Sequence, residues 1–381
     1  MKGYISVRKS SEVFSFINGF LLDLAVPMSI SVFWNFGILL GVVLAMQIVG
    51  GLLLSMHYHN GVVEAFDSVC FIQYNVNWGW VLRAAHMNGA SFFFFFIYVH
   101  MGRGLYYGSY TFIWTWMIGV SIFVVLMATA FMGYVLPYGQ MSYWGATVIT
   151  NLISAIPYAG YDIVNWVWGG FSVGDATVMR FFVFHFLAPF LILLMVIIHL
   201  IYLHESGSGN GLGVKSGQMK VRFHVFFMLK DAVGIFFFLL FFFMIVLKYP
   251  NALGDCENFF YADPMSTPAH IKPEWYFLWA YAILRSIPSK VGGVVMMGLA
   301  IMVLYTFVLF KSNFQGVKFY KASQMIYWLL VINMGLLTWI GMRPVEGYYY
   351  ICGQIFTFLF FFLFMLYFLS MTISDKIFEL Q

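Results

Sequence analysis

The sequence predicts an all-α integral membrane protein with eight transmembrane helices. Of its 381 residues, 62% are hydrophobic and only 9% are charged, whereas soluble domains carry about 25% charged residues. The mean hydropathy of +0.87 agrees with this composition, and the apolar residues fall into runs long enough to cross a hydrocarbon core of roughly 30 Å. Because no soluble fold buries so large an apolar fraction, we expect the chain to fold within a lipid bilayer.

Short polar or Gly/Pro-bearing connections separate the apolar runs and set the predicted limits of the spans. The spans are 33–56, 78–102, 112–135, 177–204, 226–247, 289–310, 322–341 and 348–372. Two connections, 136–176 and 248–288, are long and rich in aromatic residues, and both join spans on the same side of the membrane. We therefore expect them to form short surface helices that cover a site. The first 23 residues lack a clear apolar core ending in small residues, which argues against a cleaved signal peptide.

Basic residues predict the orientation of the spans. An even number of spans places both termini on one side of the membrane, and the basic residues collect on that side, while the opposite side carries more acids. The basic set is Lys2, Arg8, Lys9, Arg103, Lys215, Lys220, Arg222, Lys230, Lys311, Lys318, Lys321 and Lys376, and the acidic set is Glu64, Asp67, Asp162, Asp175, Asp255, Glu257 and Asp263. The termini are thus expected to face the cytoplasm or, in an organelle, the matrix. The 45 phenylalanines fit a T-rich organellar gene, which favours the mitochondrial inner membrane with both termini in the matrix.

Four histidines form two pairs with the same spacing. His86 and His100 lie fourteen residues apart in the second span, and so do His185 and His199 in the fourth. Fourteen residues advance a helix by about 21 Å and return the side chain to within about 40° of the first. Two such helices facing each other would stack two His-His sites, His86 with His185 near the outer surface and His100 with His199 near the inner one. This arrangement suits two low-spin, non-covalent b-type haems.

Glycines repeat the same interval in two other spans. Gly37 and Gly51 lie fourteen residues apart in the first span, and so do Gly119 and Gly133 in the third. A helix that packs against a flat macrocycle needs positions without a Cβ, so these glycines support the haem interpretation. Ordinary helix packing is the alternative for each glycine taken alone.

Three arginines lie about one turn from the candidate ligands, near the span ends. Arg83, Arg103 and Arg180 would each pair with a haem propionate, since an arginine at low dielectric binds a carboxylate bidentately. The alternative is that they extend towards the membrane surface for solvation alone.

Other classes of membrane protein fit the sequence less well. A proton-coupled transporter would explain histidines and arginines within spans, but not the matched intervals. A haem-copper oxidase needs an adjacent His-His pair, which the sequence lacks. The cysteines Cys70, Cys256 and Cys352 are isolated and no Cys-x-x-Cys-His occurs, so neither a disulfide framework nor thioether-linked haem is expected. No nucleic-acid partner is expected.

Four motifs together resemble cytochrome b of the cytochrome bc complex, respiratory complex III. They are Trp34-Asn35-Phe36-Gly37, Gly102-Arg103-Gly104-Leu105-Tyr106-Tyr107-Gly108-Ser109, Gly145-Ala146-Thr147-Val148-Ile149-Thr150-Asn151-Leu152 and Pro273-Glu274-Trp275-Tyr276. The resemblance covers almost the whole chain. It implies an N-terminal four-helix bundle over 1–210 that holds two haems, and a C-terminal membrane domain over 211–381 that completes the quinol-oxidation site.

The resemblance also implies an activity and partners. Quinol would be oxidised at an outer site and quinone reduced at an inner site in a proton-translocating Q cycle, so the chain would be the catalytic subunit of a quinol:cytochrome c reductase. The implied partners are the Rieske iron-sulfur protein, a membrane-anchored c-type cytochrome, other complex III subunits and a second copy of the complex.

Two sets of site residues follow from the resemblance. The outer set is Phe131, Tyr134, Gly145, Pro273, Glu274 and Tyr281, and the inner set is His204, Ser208, Asp231 and Asn35. Glu274 would accept a proton from quinol, the alternative being a solvated loop acid paired with Lys272 or Arg285. His204 would donate to a quinone carbonyl, the alternative being an interfacial histidine beside Glu205.

Overall fold

The computed structural model describes residues 9–214, 217 and 219–379 and is built almost wholly of helices. Lys2, Arg8 and Lys215, which entered the prediction of orientation, lie outside the described residues. The α-helices are α1 Glu12–Ile17, α2 Phe36–Ser55, α3 Glu64–Asn75, α4 Gly79–Tyr106, α5 Ile113–Val135, α6 Gln140–Asn151, α7 Gly160–Trp168, α8 Asp175–Ser206, α9 Phe226–Lys248, α10 Leu278–Ser286, α11 Lys290–Thr306, α12 Lys321–Gly341 and α13 Gly347–Glu379.

Seven helices in the described part of the chain are long and apolar enough to cross a membrane. They are α2, α5, α8, α9, α11, α12 and α13, and they coincide with seven of the eight predicted spans to within a few residues, except that α13 runs on past 372. The remaining predicted span corresponds to α4, a helix of 28 residues. Its length suffices for a bilayer, but Arg83, His86, Asn88, His100 and Arg103 lower its apolar character. The helix is therefore confirmed, and its crossing of the membrane stays a prediction.

Helices α2, α4, α5 and α8 pack around one interior. The helix α2 packs against α4 and also touches α8, while α5 packs along α8. Tyr98 of α4 and Phe123 of α5 complete the ring of contacts, with their ring centres 5.9 Å apart. The middle of α4 is mostly buried, since Phe93, Phe94 and Phe96 are buried and Phe95 is exposed. The helix with the most polar side chains thus directs most of its surface into the group.

The C-terminal helices form a second packed group. The helix α10 lies among α11, α12 and α13, and both Trp279 and Ile283 are buried there. Trp116 of α5 donates from Nε1 to the Leu304 carbonyl of α11 at 2.8 Å, which joins the two groups. The burial of α10 differs from the surface position predicted for helices in the 248–288 connection, because α11, α12 and α13 enclose this short helix.

The two long connections meet at one end of the molecule. The first connection contains α6 and α7, as the sequence predicts. Gln140 at the start of α6 donates from Nε2 to the Ser266 carbonyl at 2.6 Å and accepts from the Asp263 amide at 2.8 Å. These bonds tie the first connection to the second, so both lie on the same side.

The opposite end is closed by a short antiparallel pair of strands, β1 Ala25–Pro27 and β2 Lys220–Arg222, with Ala25 opposite Arg222. Asp23 lies beside this pair and forms ion pairs with Lys9 at 3.4 Å and Arg222 at 3.9 Å. The segment before α2 is thereby fixed to the α8–α9 connection. Following the predicted orientation, we name this the inner end and the end with α6 and α7 the outer end.

Candidate functional site

The predicted histidine pairs face each other between α4 and α8. The ring centres of His86 and His185 lie 6.2 Å apart with their planes at 84°, and those of His100 and His199 lie 6.4 Å apart at 55°. The cross-helix pairing predicted from the fourteen-residue interval is therefore the one observed. The sequence alone left open whether the two helices would face each other in this register.

The spacing of each pair fits a single metal ion between two imidazoles. Metal–imidazole bonds in proteins are about 2 Å long, and the ring centre lies roughly 1 Å beyond the bonding nitrogen, so two imidazoles that share an ion have centres about 6 Å apart. His185 donates from Nδ1 to the Thr129 carbonyl at 2.8 Å, which leaves Nε2 free for a ligand, as a carbonyl partner commonly does for metal-binding histidines. The Nδ1 atom of His86 is buried with no hydrogen-bond partner among the described residues. These features fit axial ligands of haem.

The four predicted glycines each lie against one of these rings. A Cβ added at Gly51 would come within 3.1 Å of the His86 ring, and one at Gly119 within 3.2 Å of the His199 ring. At Gly133 it would overlap the His185 ring, with 2.8 Å to Nδ1, whereas at Gly37 it would reach only ordinary contact, 3.7 Å from the His100 ring. The repeated interval thus has a direct cause, because α2 and α5 must leave room for the imidazoles on α4 and α8.

The predicted arginines occupy different surroundings. Arg103 is buried beside the inner pair, with Nη2 3.2 Å from Nδ1 of His100 and its guanidinium 5.2 Å from the Trp34 ring centre. Arg83 donates to the Gln73 side chain at 3.1 Å. Arg180 lies over Trp166 and donates to its carbonyl. None of the three forms an ion pair with a carboxylate in the described part of the chain, so each retains capacity for an anionic ligand.

A cavity of about 260 Å³ opens beside the outer histidine pair. Its walls combine the two histidines with residues of the long connections and of several helices. The polar residues that line it include Gln47, Arg83, His86, Tyr134, His185, Asp255, Asn258 and Glu274. The remaining walls are mostly apolar, as ligand pockets usually are. Two residues of the predicted outer set, Tyr134 and Glu274, therefore share one cavity with the predicted ligands.

Glu274 is mostly enclosed in this cavity, just before a short helical turn at Trp275–Phe277. The pKa of its carboxyl is raised to about 7, mainly by burial and also by the Asp255 carboxylate, while Tyr134 and Lys272 act in the opposite direction. Lys272 pairs with Asp255, at 3.2 Å, and Arg285 donates to the Ile340 and Gly341 carbonyls at 3.0 and 2.9 Å. Glu274 is thus a buried carboxyl group whose pKa lies near neutral pH, rather than a solvated loop acid.

The other predicted outer residues surround this cavity without lining it. Phe131 packs edge-on against Phe181, with ring centres 5.9 Å apart. Tyr281 donates to the Ile271 carbonyl at 3.0 Å, two residues before Pro273. Gly145 on α6 faces open space, since an added Cβ would meet nothing within 4 Å. The structure therefore brings the outer set to one end of the molecule and places only part of it at the cavity wall.

The predicted inner residues lie near the inner histidine pair. Asn35 caps α2 and donates from Nδ2 to the Lys230 carbonyl at 3.0 Å, which places it beside the first turns of α9, where Asp231 lies. Lys230 in turn donates to the Ile30 carbonyl at 2.8 Å. His204 lies in the last turn of α8 and Ser208 follows the helix. The grouping of His204 with Asp231 remains a prediction.

Several polar residues at the cavity were not among the predicted site residues, and Gln47, Asp255 and Asn258 are three of them. Gln47 donates from Nε2 to the His86 carbonyl at 2.9 Å, and Asn258 accepts from the Ser142 amide at 2.9 Å. A polar side chain in the middle of the apolar α2 is a signal that identifies Gln47 from sequence. Asp255 and Asn258 carry no such signal, because their loop is brought to the cavity only by the tertiary fold.

Comparison with known proteins decides the family. Residues 21–207 match the family model of cytochrome b/b6/petB, and residues 261–361 match that of cytochrome b(C-terminal)/b6/petD. A solved chain described as "Hyperthermophilic respiratory Complex III" superposes with a TM-score of 0.92 at 31% sequence identity, covering 97% of this chain and 99% of that one. The chain belongs to the cytochrome b family. The resemblance inferred from the four motifs is therefore confirmed.

Membership in the cytochrome b family gives the histidine pairs a context. Cytochrome b domains bind haem and serve electron transfer of the bc type, and both halves of the family are present in this one polypeptide. All four histidines lie within the first matched region and Glu274 within the second. The outer cavity therefore lies where the two cytochrome b regions meet.

Proposed function

We propose that the chain is the di-haem catalytic subunit of a quinol:cytochrome c reductase of the complex III type. Quinol is oxidised at the outer end, quinone is reduced at the inner end, and protons are released outside and taken up inside in a Q cycle. The observation that carries this proposal is the shared cavity in which Glu274 and Tyr134 lie next to the His86–His185 pair. A proton acceptor and a metal site meet there, as quinol oxidation requires.

Two non-covalent b-type haems are proposed, one held by His86 and His185 and the other by His100 and His199. When bound, they supply reversible one-electron transfer between the two ends of the bundle. The chain orients the ligands, as the Thr129 carbonyl does for His185. Gly37, Gly51, Gly119 and Gly133 keep the backbone clear of the four rings. Arg83, Arg103 and Arg180 are proposed to bind propionates.

At the outer site, Glu274 is the proposed proton acceptor. Its pKa of about 7 allows it to take a proton from quinol and to give it up again near neutral pH. Tyr134 faces Glu274 in the same cavity, so its hydroxyl is placed to donate to a quinol oxygen. Phe131, Gly145, Pro273 and Tyr281 are proposed to shape the entrance.

At the inner site, His204, Ser208, Asp231 and Asn35 are proposed to bind quinone. The placement of Asn35 beside the start of α9 supports this grouping. His204 at the helix end can donate to a carbonyl and exchange protons with water on that side. The division into a haem-binding bundle over 1–210 and a second domain over 211–381 belongs to the same proposal.

The assembly is proposed on the similarity to a respiratory complex III. The partners would be a Rieske iron-sulfur protein, a membrane-anchored c-type cytochrome, further subunits and a second copy of the complex. The proposed location, the mitochondrial inner membrane with both termini in the matrix, is based on the 45 phenylalanines and on the distribution of basic residues.

The test is a quinol:cytochrome c reductase assay on the purified complex, with haem spectra recorded on the same sample. We expect reduction of cytochrome c by quinol and low-spin b-type bands, with Glu274→Gln slowing the reaction while the bands persist. A complex with no b-type bands and with proton-coupled solute transport would instead favour the transporter interpretation.

A further inference from the structure

A pair of oppositely charged side chains connects the outer cavity to its surface. Asp255 lines the cavity together with Glu274, and its Oδ2 lies 3.2 Å from Nζ of Lys272. The Asp255 side chain is only 11% exposed, whereas that of Lys272 is 45% exposed. Asp255 and Glu274 are both only partly exposed, so Lys272 is the most exposed of the three side chains.

The Asp255 carboxylate is fixed by the surrounding loop as well as by Lys272. Its Oδ1 accepts from the Glu257 amide at 3.0 Å, at the start of the short turn Cys256–Phe259. Oδ2 faces Lys272. A carboxylate held at both oxygens and placed at a cavity wall is a positioned group rather than a freely solvated one.

We propose that Asp255, held by Lys272, relays to the outer water the proton that Glu274 takes from quinol. This inference rests on the proposed function and concerns how the proton leaves the site. Asp255 acts through Glu274 and is a positioning and relay residue, since nothing places it in contact with the substrate.

The transfer balances without any further reactant. The protonated Glu274 gives its proton to the Asp255 carboxylate, directly or across one water molecule, so that one O–H bond breaks and another forms. Asp255 then releases the proton to water on the Lys272 side and returns to its carboxylate form. The cation of Lys272 favours that return, because it stabilises the charged carboxylate.

The charges around Glu274 predict opposite effects for the two partners. Asp255 raises the pKa of Glu274 and Lys272 lowers it, while Tyr134 also faces the carboxyl and lowers it. Tyr276 lies close enough to be affected by the Glu274 charge, and Arg83, His86 and His185 line the same cavity. Removing the Asp255 charge should therefore shift the acid limb of the pH profile down, and removing Lys272 should shift it up.

The experiment measures quinol oxidation by the intact complex from pH 5.5 to 9 in Asp255→Asn, Asp255→Glu and Lys272→Met, with haem content determined for each. Asp67→Asn is the matched control, because Asp67 is an outer-end carboxylate bonded to Tyr261 at 2.5 Å outside the cavity. Asp255→Ala is assayed with and without added acetate, a carboxylate small enough to replace the missing side chain.

We expect Asp255→Asn to slow quinol oxidation by roughly tenfold, less than the loss of a direct general base, and to move the acid limb down by about half a pH unit. Lys272→Met should move that limb up, Asp255→Glu should retain most of the activity, and acetate should accelerate Asp255→Ala. Asp67→Asn should match the unmodified complex in rate and pH profile.

Two results would overturn the relay. One is an unchanged rate and profile in Asp255→Asn while Glu274→Gln is slow. The other is a shift in the same direction for Asp255→Asn and Lys272→Met together with no acetate effect. If Asp255→Asn loses haem, the pH profile of Lys272→Met and the acetate titration of Asp255→Ala test the relay instead. The relay is refuted if Lys272→Met does not move the acid limb up and acetate does not accelerate Asp255→Ala. Failure of the unmodified complex to oxidise quinol would refute the proposed function itself, which separates the two claims.

Discussion

The ring of His185 lies directly against the backbone of Gly133. A Cβ at this glycine would come within 2.8 Å of Nδ1, the same nitrogen that donates to the Thr129 carbonyl one turn earlier on α5. One helix therefore both makes room for the imidazole and sets its orientation. The centre of the His86 ring lies 6.2 Å from that of His185.

Gly133→Ala should displace His185 and reduce the content of the outer haem by more than half. Inserting a methyl group into a packed site costs about 1–3 kcal/mol, and here the neighbour that must move is a proposed ligand. The measurement is the b-type absorbance per complex. Gly41→Ala is the control, since a Cβ there meets nothing within 4 Å. Equal haem content in the two variants would show that the close approach has no bearing on haem binding.

His185→Leu should remove one b-type haem and leave the other. The outer pair loses a ligand, whereas His100 and His199 remain paired at 6.4 Å. Quinol oxidation should fall to background. The matched substitution is His57→Leu, at an exposed histidine outside the helices, which should keep the normal spectrum. Two intact haems in His185→Leu would refute the assignment of the outer pair.

Glu274→Gln should remove a pH-dependent step. The pKa of Glu274 is raised to about 7, mainly by burial, so the carboxylate that accepts a proton forms as the pH rises through 7 and is lost as it falls. The unmodified complex should therefore slow below pH 7. The variant should be roughly a hundredfold slower above pH 7, with a flatter profile and normal haem content. An acid limb of equal size in both would exclude Glu274 as its source.

Arg103→Leu should lower the midpoint potential of the inner haem by roughly several tens of millivolts, because a nearby buried cation favours the reduced form. Arg103 is buried 3.2 Å from the His100 ring and has no carboxylate partner in the described part of the chain. Arg103→Lys, which keeps the charge, should shift the potential less. Redox titration measures both, and equal shifts would argue that packing rather than charge is responsible.

Much of this architecture is predictable from the sequence, because it depends on helix periodicity alone. The interval between His86 and His100 places both side chains on one face of α4. The same interval places His185 and His199 on one face of α8, so that each histidine of α4 has a partner. The glycine interval is also predictable from the sequence. The sequence alone suggests contact with a flat macrocycle as its cause, whereas the structure shows direct contact with the imidazoles. Except at the end of α13, the predicted helix limits agree with the observed limits to within a few residues wherever an apolar run ends in polar residues.

Long-range packing explains what the sequence does not reveal. No helical interval relates Asp255 to Glu274 in the sequence. Only the folding of the 248–288 connection brings both residues to one cavity. The pairing of Lys272 with Asp255 rather than with Glu274 depends on the same loop. Likewise, α10 is buried because three later helices enclose it, a fact that its own short sequence does not specify.

The most direct test is a redox titration of the haem spectra of the purified complex. With both histidine pairs loaded, one on each side of the interior, the b-type absorbance should titrate as two components of similar size with distinct midpoint potentials. His185→Leu should remove one component and leave the other. A single component in the unmodified complex, or no b-type absorbance at all, would contradict the assignment of two haems to these four histidines.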